Sequence, residues 1–290
     1  GVGSLAAELG QDALRRRHAT DVLGGSLMAD EHYAVALAGL VHGIFGRAGG
    51  HSRAPWDSLN VGASVGDDPE AVRDNHERIC QALGVSRHDL VTAHQVHGNR
   101  VARVSAADRG RVIGFADGLV TDEPGVPVVL RFADCVPLIV YDPFRRALGV
   151  AHAGWRGSVA KIALRLVETM ATEFGCRPAN LIAGIGPSIG PCCYEVGEPV
   201  IENARSAFGD ELAYRADGAL LSTSCGRTYF DLWEANRASL QSAGVEQVEV
   251  LGVCTACHRD RFFSHRADGG KTGRFAMVAM LLPAAGVELE

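Results

Sequence analysis

Short apolar runs alternate along the chain with amphipathic stretches, and the two patterns do not repeat in a regular order. Apolar positions at helical spacing predict three helices. The first covers Pro69 to Leu83, with Asp68 as cap, Pro69 at the first position, Val72, Ile79 and Leu83 as its apolar stripe, and Gly84 as its stop. The second is expected from about Ser158 to Phe174, with Val159, Ile162, Leu166, Met170 and Phe174 on one face and Gly175 as terminator. A capping box of Asp231 and Glu234 opens the third, which stops at Gly244. Between them, β-rich runs cover Arg100 to Val104, Val126 to Phe132, Val136 to Tyr141, Ala147 to Ala151, Leu181 to Ile185 and Val248 to Val253.

Strands joined by tight turns as well as by helices do not make a regular βαβ repeat. The expected fold class is therefore an α/β (mixed α+β) sandwich, with mixed sheets and flanking helices. The first residue is Gly rather than Met, and residues 1–36 read as an N-terminal extension; after about residue 37 there is no internal repeat, low-complexity linker or sharp composition shift, so 37–287 read as a single domain. With 47% apolar residues among 290, the chain can bury a substantial core.

A formal charge of −6 without any basic block argues against nucleic acid or an anionic membrane as partner, and leaves a small ligand open. No stretch of 18 apolar residues occurs, and the opening residues lack the apolar centre of a signal peptide. The expected location is cytoplasmic, with the oligomeric state left open. Eight cysteines are too sparse for a disulfide framework, so in a reducing compartment they are expected to be buried, catalytic or metal-binding.

Chemistry concentrates around Cys135 and His152. The runs between them read as strand, turn, strand, with a midpoint on Pro143 and Phe144. In such a hairpin the two side chains lie nearly opposite, within about 5 Å, close enough to share a metal ion. A third ligand is available in Thr92-Ala-His-Gln-Val-His-Gly98, and His97 is preferred over His94 because Gly98 permits a turn with positive φ. Two imidazoles and a thiolate suit Zn²⁺, with a fourth position for water or substrate. The glycine-bracketed Ala153-Gly-Trp-Arg-Gly157 follows at once, where a helix N-terminus could face an anion.

These residues sit within a longer series of motifs. They are His42-Gly-Ile-Phe-Gly-Arg47, Ala93-His-Gln-Val-His-Gly98, Ala116-Asp-Gly-Leu119, Ala133-Asp-Cys-Val-Pro137, Ala151-His-Ala-Gly-Trp-Arg-Gly157, Gly184-Ile-Gly-Pro-Ser-Ile-Gly190, Cys192-Cys-Tyr-Glu195, Cys254-Thr255, Phe263-Ser-His-Arg266 and Gly273-Arg274. In this order, over residues 38 to 282, the chain resembles the bacterial laccase-domain, or multicopper polyphenol oxidoreductase, family. The resemblance implies a mixed α/β sandwich and a metal held by His97, Cys135 and His152. It also implies zinc-dependent purine nucleoside chemistry: phosphorolysis of adenosine, inosine and methylthioadenosine, and deamination of adenosine. Purine nucleosides and phosphate are then the partners, and Arg47, His265, Arg266 and Arg274 are candidates to gather phosphate.

The alternatives are a copper-dependent polyphenol oxidase and an editing hydrolase of cell-wall precursors. Multicopper chemistry needs many paired histidines, and the 11 present do not recur in His-x-His form. Copper binding in vitro would not decide the matter, because copper outcompetes zinc at nitrogen and sulfur sites. The His-x-Glu and Pro-Cys-x-x-Cys signature of nucleobase deaminases is absent, which leaves the general acid unassigned. Asp134 is expected to orient a loop rather than shuttle protons. Cys254-Thr-Ala-Cys-His258 matches a haem-attachment pattern without an export signal. A second zinc held by Cys192, Cys193, Cys254 and Cys257 is disfavoured, since adjacent cysteines on an extended chain point to opposite faces and chelate poorly, and Cys192 and Cys193 are expected to be packing residues.

Overall fold

The computed structural model describes residues 27–28, 32–37, 39–214 and 220–283. Its strands are β1 (Leu27–Met28), β2 (His32–Leu37), β3 (Leu40–Phe45), β4 (Thr92–His94), β5 (Val101–Arg103), β6 (Val112–Phe115), β7 (Gly118–Thr121) and β8 (Val128–Phe132). They continue as β9 (Val136–Asp142), β10 (Ala147–Ala153), β11 (Ile182–Ile185), β12 (Glu195–Val196), β13 (Leu221–Ser224), β14 (Arg227–Phe230), β15 (Gln247–Val250) and β16 (Phe275–Leu281). The α-helices are α1 (Pro69–Leu83), α2 (Trp155–Val159), α3 (Ile162–Phe174), α4 (Glu198–Ala213) and α5 (Leu232–Ser242).

Two sheets pack face to face. One is antiparallel in the order β1-β2-β3-β16-β8; the other is mixed, in the order β15-β11-β9-β10-β7-β5. Leu130, Phe132, Phe275 and Met277 of the first meet Leu119, Ile139, Leu148 and Val150 of the second in one buried cluster. The opposite face of the six-stranded sheet is covered by α3 and α5, through Leu166, Met170, Ala235 and Leu240. The opposite face of the other is covered by α1, through Ile79 and Leu83 against Phe45, Val129 and Val278. The result is a four-layered mixed α+β sandwich, the expected class. Because both faces of the central strands are covered, β9, β10 and β16 are buried along their whole length and read as continuous apolar runs.

Helix α1 forms as its sequence predicts. Asp68 accepts from the Glu70 N–H at 3.0 Å, and Gly84 closes the helix in the left-handed region at φ 67°. The expected second helix is instead two. Lys161 adopts φ 60° and separates α2 from α3, while Asn99 Nδ2 donates to the freed Ala160 carbonyl at 2.8 Å. Helix α5 begins as expected, with Asp231 accepting from the Glu234 N–H at 3.0 Å. The expected domain start at residue 37 falls at the end of β2, which pairs with β3 from His32 to Leu37, so the sheet extends upstream of that boundary. Residues 1–26 and 284–290 lie outside the described residues. No described helix is long and apolar enough to cross a membrane.

Candidate active site

The β9–β10 hairpin places two of the three expected ligands, by a register one residue off the expected centre. Asp142 pairs with Ala147 and Pro137 with His152, so the loop is Pro143 to Arg146. Asp142 Oδ1 fixes that loop by accepting from the N–H groups of Phe144 (2.9 Å) and Arg145 (3.0 Å). Continued to Cys135, the pairing meets Gly154 rather than His152. A displacement of two residues preserves the face, so Cys135 and His152 remain diagonal neighbours. His97 arrives from the turn after β4. The positive φ there, 60°, belongs to His97 itself, not to Gly98 as expected.

The metal-ligating atoms of His97, Cys135 and His152 all lie within 4.8 Å of one another. Asp117, fully buried before β7, organises them. Its carboxylate accepts from three successive backbone N–H groups, those of Val96 (3.1 Å), His97 (3.0 Å) and Gly98 (2.8 Å), and so holds the strained turn. The same carboxylate meets His152 Nδ1 at 2.8 Å, which leaves Nε2 for the cavity. Burial works to raise the Asp117 pKa, yet the His152 contact and the N–H donors prevail and hold it below the ordinary carboxylate value. Burial would likewise raise the Cys135 thiol, but the neighbouring imidazoles draw it down; His152 is pushed up, against burial, by Cys135 and Asp117. The thiolate is thus favoured near neutral pH, which is the form a metal takes.

Gly154 gives this triad its room. A Cβ there would stand 3.0 Å from both Cys135 Sγ and His97 Cδ2. The donor set, one thiolate and two imidazoles with an oriented second nitrogen, fits Zn²⁺.

The triad opens into a cavity of about 600 Å³ lined also by His94, Gln95, Arg131, Asp134, Trp155, Arg156, Tyr194, His265, Arg266 and Arg274. Three of the four expected anion-binding residues, His265, Arg266 and Arg274, are therefore brought to it. Arg47 is not. Its guanidinium donates to the backbone carbonyls of Asp57 (2.9 Å) and Arg259 (2.8 Å) and packs 4.8 Å over the Phe263 ring, tying loops together beyond the cavity.

The guanidinium bonds of the cavity arginines go to backbone carbonyls: Arg131 to Ala93, Arg266 to Glu195, and Arg274 to Thr272 and Gly273. Such bonds orient the groups without neutralising them. Burial pulls Arg131 and Arg274 below the ordinary arginine value, for Arg274 against the opposing pull of Cys135 and Asp134. Asp134 orients loops as expected: Oδ1 accepts from Thr255 Oγ1 (2.7 Å) and Oδ2 from the Arg266 N–H (2.6 Å). Asp117, Gln95, Arg131, Arg156 and Tyr194 were not among the expected site residues. Asp117, Gln95, Arg156 and Tyr194 lie inside the quoted motifs, whereas Arg131, within the run that becomes β8, carried no local signal.

The sequence profile of the family described as "Multi-copper polyphenol oxidoreductase laccase" matches residues 41–282. The chain belongs to this family. Among its relatives, the purine nucleoside phosphorylase YlmD of Geobacillus stearothermophilus is 40% identical over 252 residues, covering 83% of this chain and 90% of that protein. A purine nucleoside phosphorylase of Deinococcus radiodurans is 40% identical over 235 residues, covering 80% and 86%. The crystal structure of YlmD from Geobacillus stearothermophilus superposes with a TM-score of 0.82 at 36% identity, covering 89% of this chain and 98% of that one. The laccase-family fold is thus shared over nearly the whole described chain.

Proposed function

We propose that this chain is a zinc-dependent purine nucleoside phosphorylase that cleaves adenosine, inosine and methylthioadenosine to free base and ribose 1-phosphate, and also deaminates adenosine. The observation that carries the reading is the cavity itself, where a His₂Cys metal triad stands with Arg131, Arg266 and Arg274, whose guanidinium hydrogen bonds among the described residues go to backbone carbonyls. An anion compensates such groups, and phosphate is the anion of phosphorolysis. The names of the relatives support the same reaction class.

His97, Cys135 and His152 would hold the zinc, with Asp117 fixing the tautomer of His152 and the turn of His97. Zinc bound there supplies Lewis-acid polarisation of a substrate atom. Arg266 and Arg274, with His265 beside them, receive the phosphate dianion and hold one of its oxygens toward the ribose. That oxygen forms the new bond to C1′ as the C1′–N bond breaks, and the purine leaves with the electron pair of the broken bond and takes the proton given up by the hydrogen phosphate, leaving ribose 1-phosphate as the dianion. Arg131, which lines the same cavity, adds positive charge to it. Tyr194 and Trp155 line the same cavity, each with one ring face covered by a guanidinium, that of Arg266 at 5.1 Å and that of Arg156 at 4.4 Å, so that only the remaining face or edge of each ring is left for base or ribose.

Phenol oxidation by a copper cluster is the reading that the family description suggests. Among the described residues the groups able to hold a metal are this triad and a set of four cysteines, neither of which is the multi-histidine cluster such oxidation needs. Cu²⁺ is expected to enter the triad in vitro without conferring that chemistry. The test is chromatography of adenosine and inosine incubated with zinc-loaded protein, with and without phosphate. Phosphate-dependent base and ribose 1-phosphate, with some inosine from adenosine, is the expected result; phenol oxidation with no purine product would overturn it.

A further inference from the structure

The adjacent cysteines Cys192 and Cys193 do not lie on extended chain. Residues 191–193 form a turn, closed by the Cys193 N–H donating to the Gly190 carbonyl at 3.0 Å, and this brings both thiols to one side. Opposite them is a second turn, Cys254-Thr-Ala-Cys257, in which the His258 N–H donates to the Cys254 carbonyl at 3.1 Å. The two segments are stitched by a bridge between Ser188 and Cys254. All four sulfur atoms fall within 4.8 Å of one another.

We propose that Cys192, Cys193, Cys254 and Cys257 form a second metal site, a structural tetrathiolate centre for Zn²⁺, separate from the His97, Cys135 and His152 triad. Four sulfurs bonded at about 2.3 Å to a tetrahedral ion stand about 3.8 Å apart. Cys257 Sγ lies 3.6 Å from Cys192 Sγ and 3.4 Å from Cys193 Sγ. These two distances and the 4.8 Å limit on the whole set bracket the spacing of a tetrahedral zinc cage, which small side-chain shifts would complete. A disulfide instead needs one pair at about 2.05 Å, and here Cys257 is shared almost equally between two candidates, which marks no pair. Packing does not explain the cluster either, since Cys192 and Cys257 are exposed. Cys254, the buried member, accepts a hydrogen bond on sulfur from the Gly190 N–H at 3.2 Å, the kind of contact that supports a metal-bound thiolate.

Binding exchanges up to four thiol protons for one Zn²⁺ and leaves all sulfurs at the same oxidation level. Its consequence is mechanical. Ile189 and Tyr194, which flank the first turn, line the cavity, and Thr255 in the second donates to Asp134 beside Cys135. The ion would clamp the two segments and brace that wall.

The test is metal analysis of the full chain purified anaerobically under reducing conditions and supplied with zinc. Two zinc ions per chain are expected, falling to one in Cys257→Ser and in Cys192→Ser, with the triad's ion retained. Cys135→Ser is expected to lose the other ion alone. A second readout needs no variant: in the zinc-loaded wild-type protein these four thiols resist alkylation, and a chelator releases them together. One zinc per chain unaffected by Cys257→Ser, iron or copper in place of the second zinc, free alkylation of Cys192 and Cys257 in the zinc-loaded protein, or an intact mass showing a disulfide would each overturn the proposal.

Discussion

Asp117 grips His152 at two points: the His152 backbone N–H donates to the Asp117 carbonyl at 2.7 Å, and His152 Nδ1 meets Asp117 Oδ1 at 2.8 Å. The same carboxylate caps three N–H groups around His97. One buried acid thus sets two of the three expected ligands. Asp117→Asn is expected to weaken zinc binding by about 10–100-fold, measured by chelator competition, and to lower kcat with it. Unchanged zinc affinity would show that the triad is positioned without Asp117.

Gly154 has an ordinary φ of −73°, so alanine fits its backbone. The added methyl is what fails to fit, 3.0 Å from Cys135 Sγ and from His97 Cδ2. Gly154→Ala is expected to lose the triad's zinc, while its metal-free form melts close to the metal-free wild type. A variant with full zinc content would mean that the site relaxes more than its packing suggests.

Arg266 and Arg47 make a contrasting pair. Arg266→Ala is expected to raise the phosphate KM several-fold more than the nucleoside KM; equal effects would remove Arg266 from the phosphate side. Arg47→Ala is expected to leave the phosphate KM alone and to destabilise the protein by about 1–3 kcal/mol, through the loss of its bonds to Asp57 and Arg259. Thermal melts paired with initial-rate kinetics separate the two.

His76, packed under the 50–61 loop, donates from Nε2 to the Val61 carbonyl at 3.0 Å. Burial lowers its pKa from 6.5 to about 4, with smaller contributions from Arg131 and Arg87. The unfolded chain therefore binds the proton first. Stability from this group is intact above about pH 6.5 and declines as the pH falls from 6.5 toward 4. Urea melts across that range are expected to show a shallower decline for His76→Gln than for the wild type, and parallel declines would refute the assignment.

The sequence was most legible where one local rule decided the outcome. Asp68, Pro69 and Gly84 mark α1 because capping and left-handed termination are settled within a few residues. The all-buried strands β9 and β10 and the nearness of Cys135 to His152 follow from one tight turn, and only the register slipped, because Asp142 holds a longer loop than the midpoint implied. Features that depend on distant partners were hidden. Phe275–Leu281 is as apolar as β9, but its alanines and methionines suit a helix equally, and its partners β3 and β8 lie far away in sequence. The break at Lys161 is supported by Asn99, again remote. Arg47 sits in a family motif but is held by Asp57 and Arg259, and no pattern of residues announces that. The approach of Cys192 and Cys193 to Cys254 and Cys257 was hidden in the same way, because it depends on a turn after Gly190 and on a segment about 60 residues away.

The central claim is that the triad's zinc and the cavity arginines serve phosphorolysis of purine nucleosides. Its most direct measurement is the product profile of adenosine with zinc-loaded wild-type protein and with Cys135→Ala, each with and without phosphate. The account predicts adenine and ribose 1-phosphate from the wild type only when phosphate is present, and neither product from the variant. Undiminished turnover by a Cys135→Ala protein shown to lack zinc at the triad would contradict it.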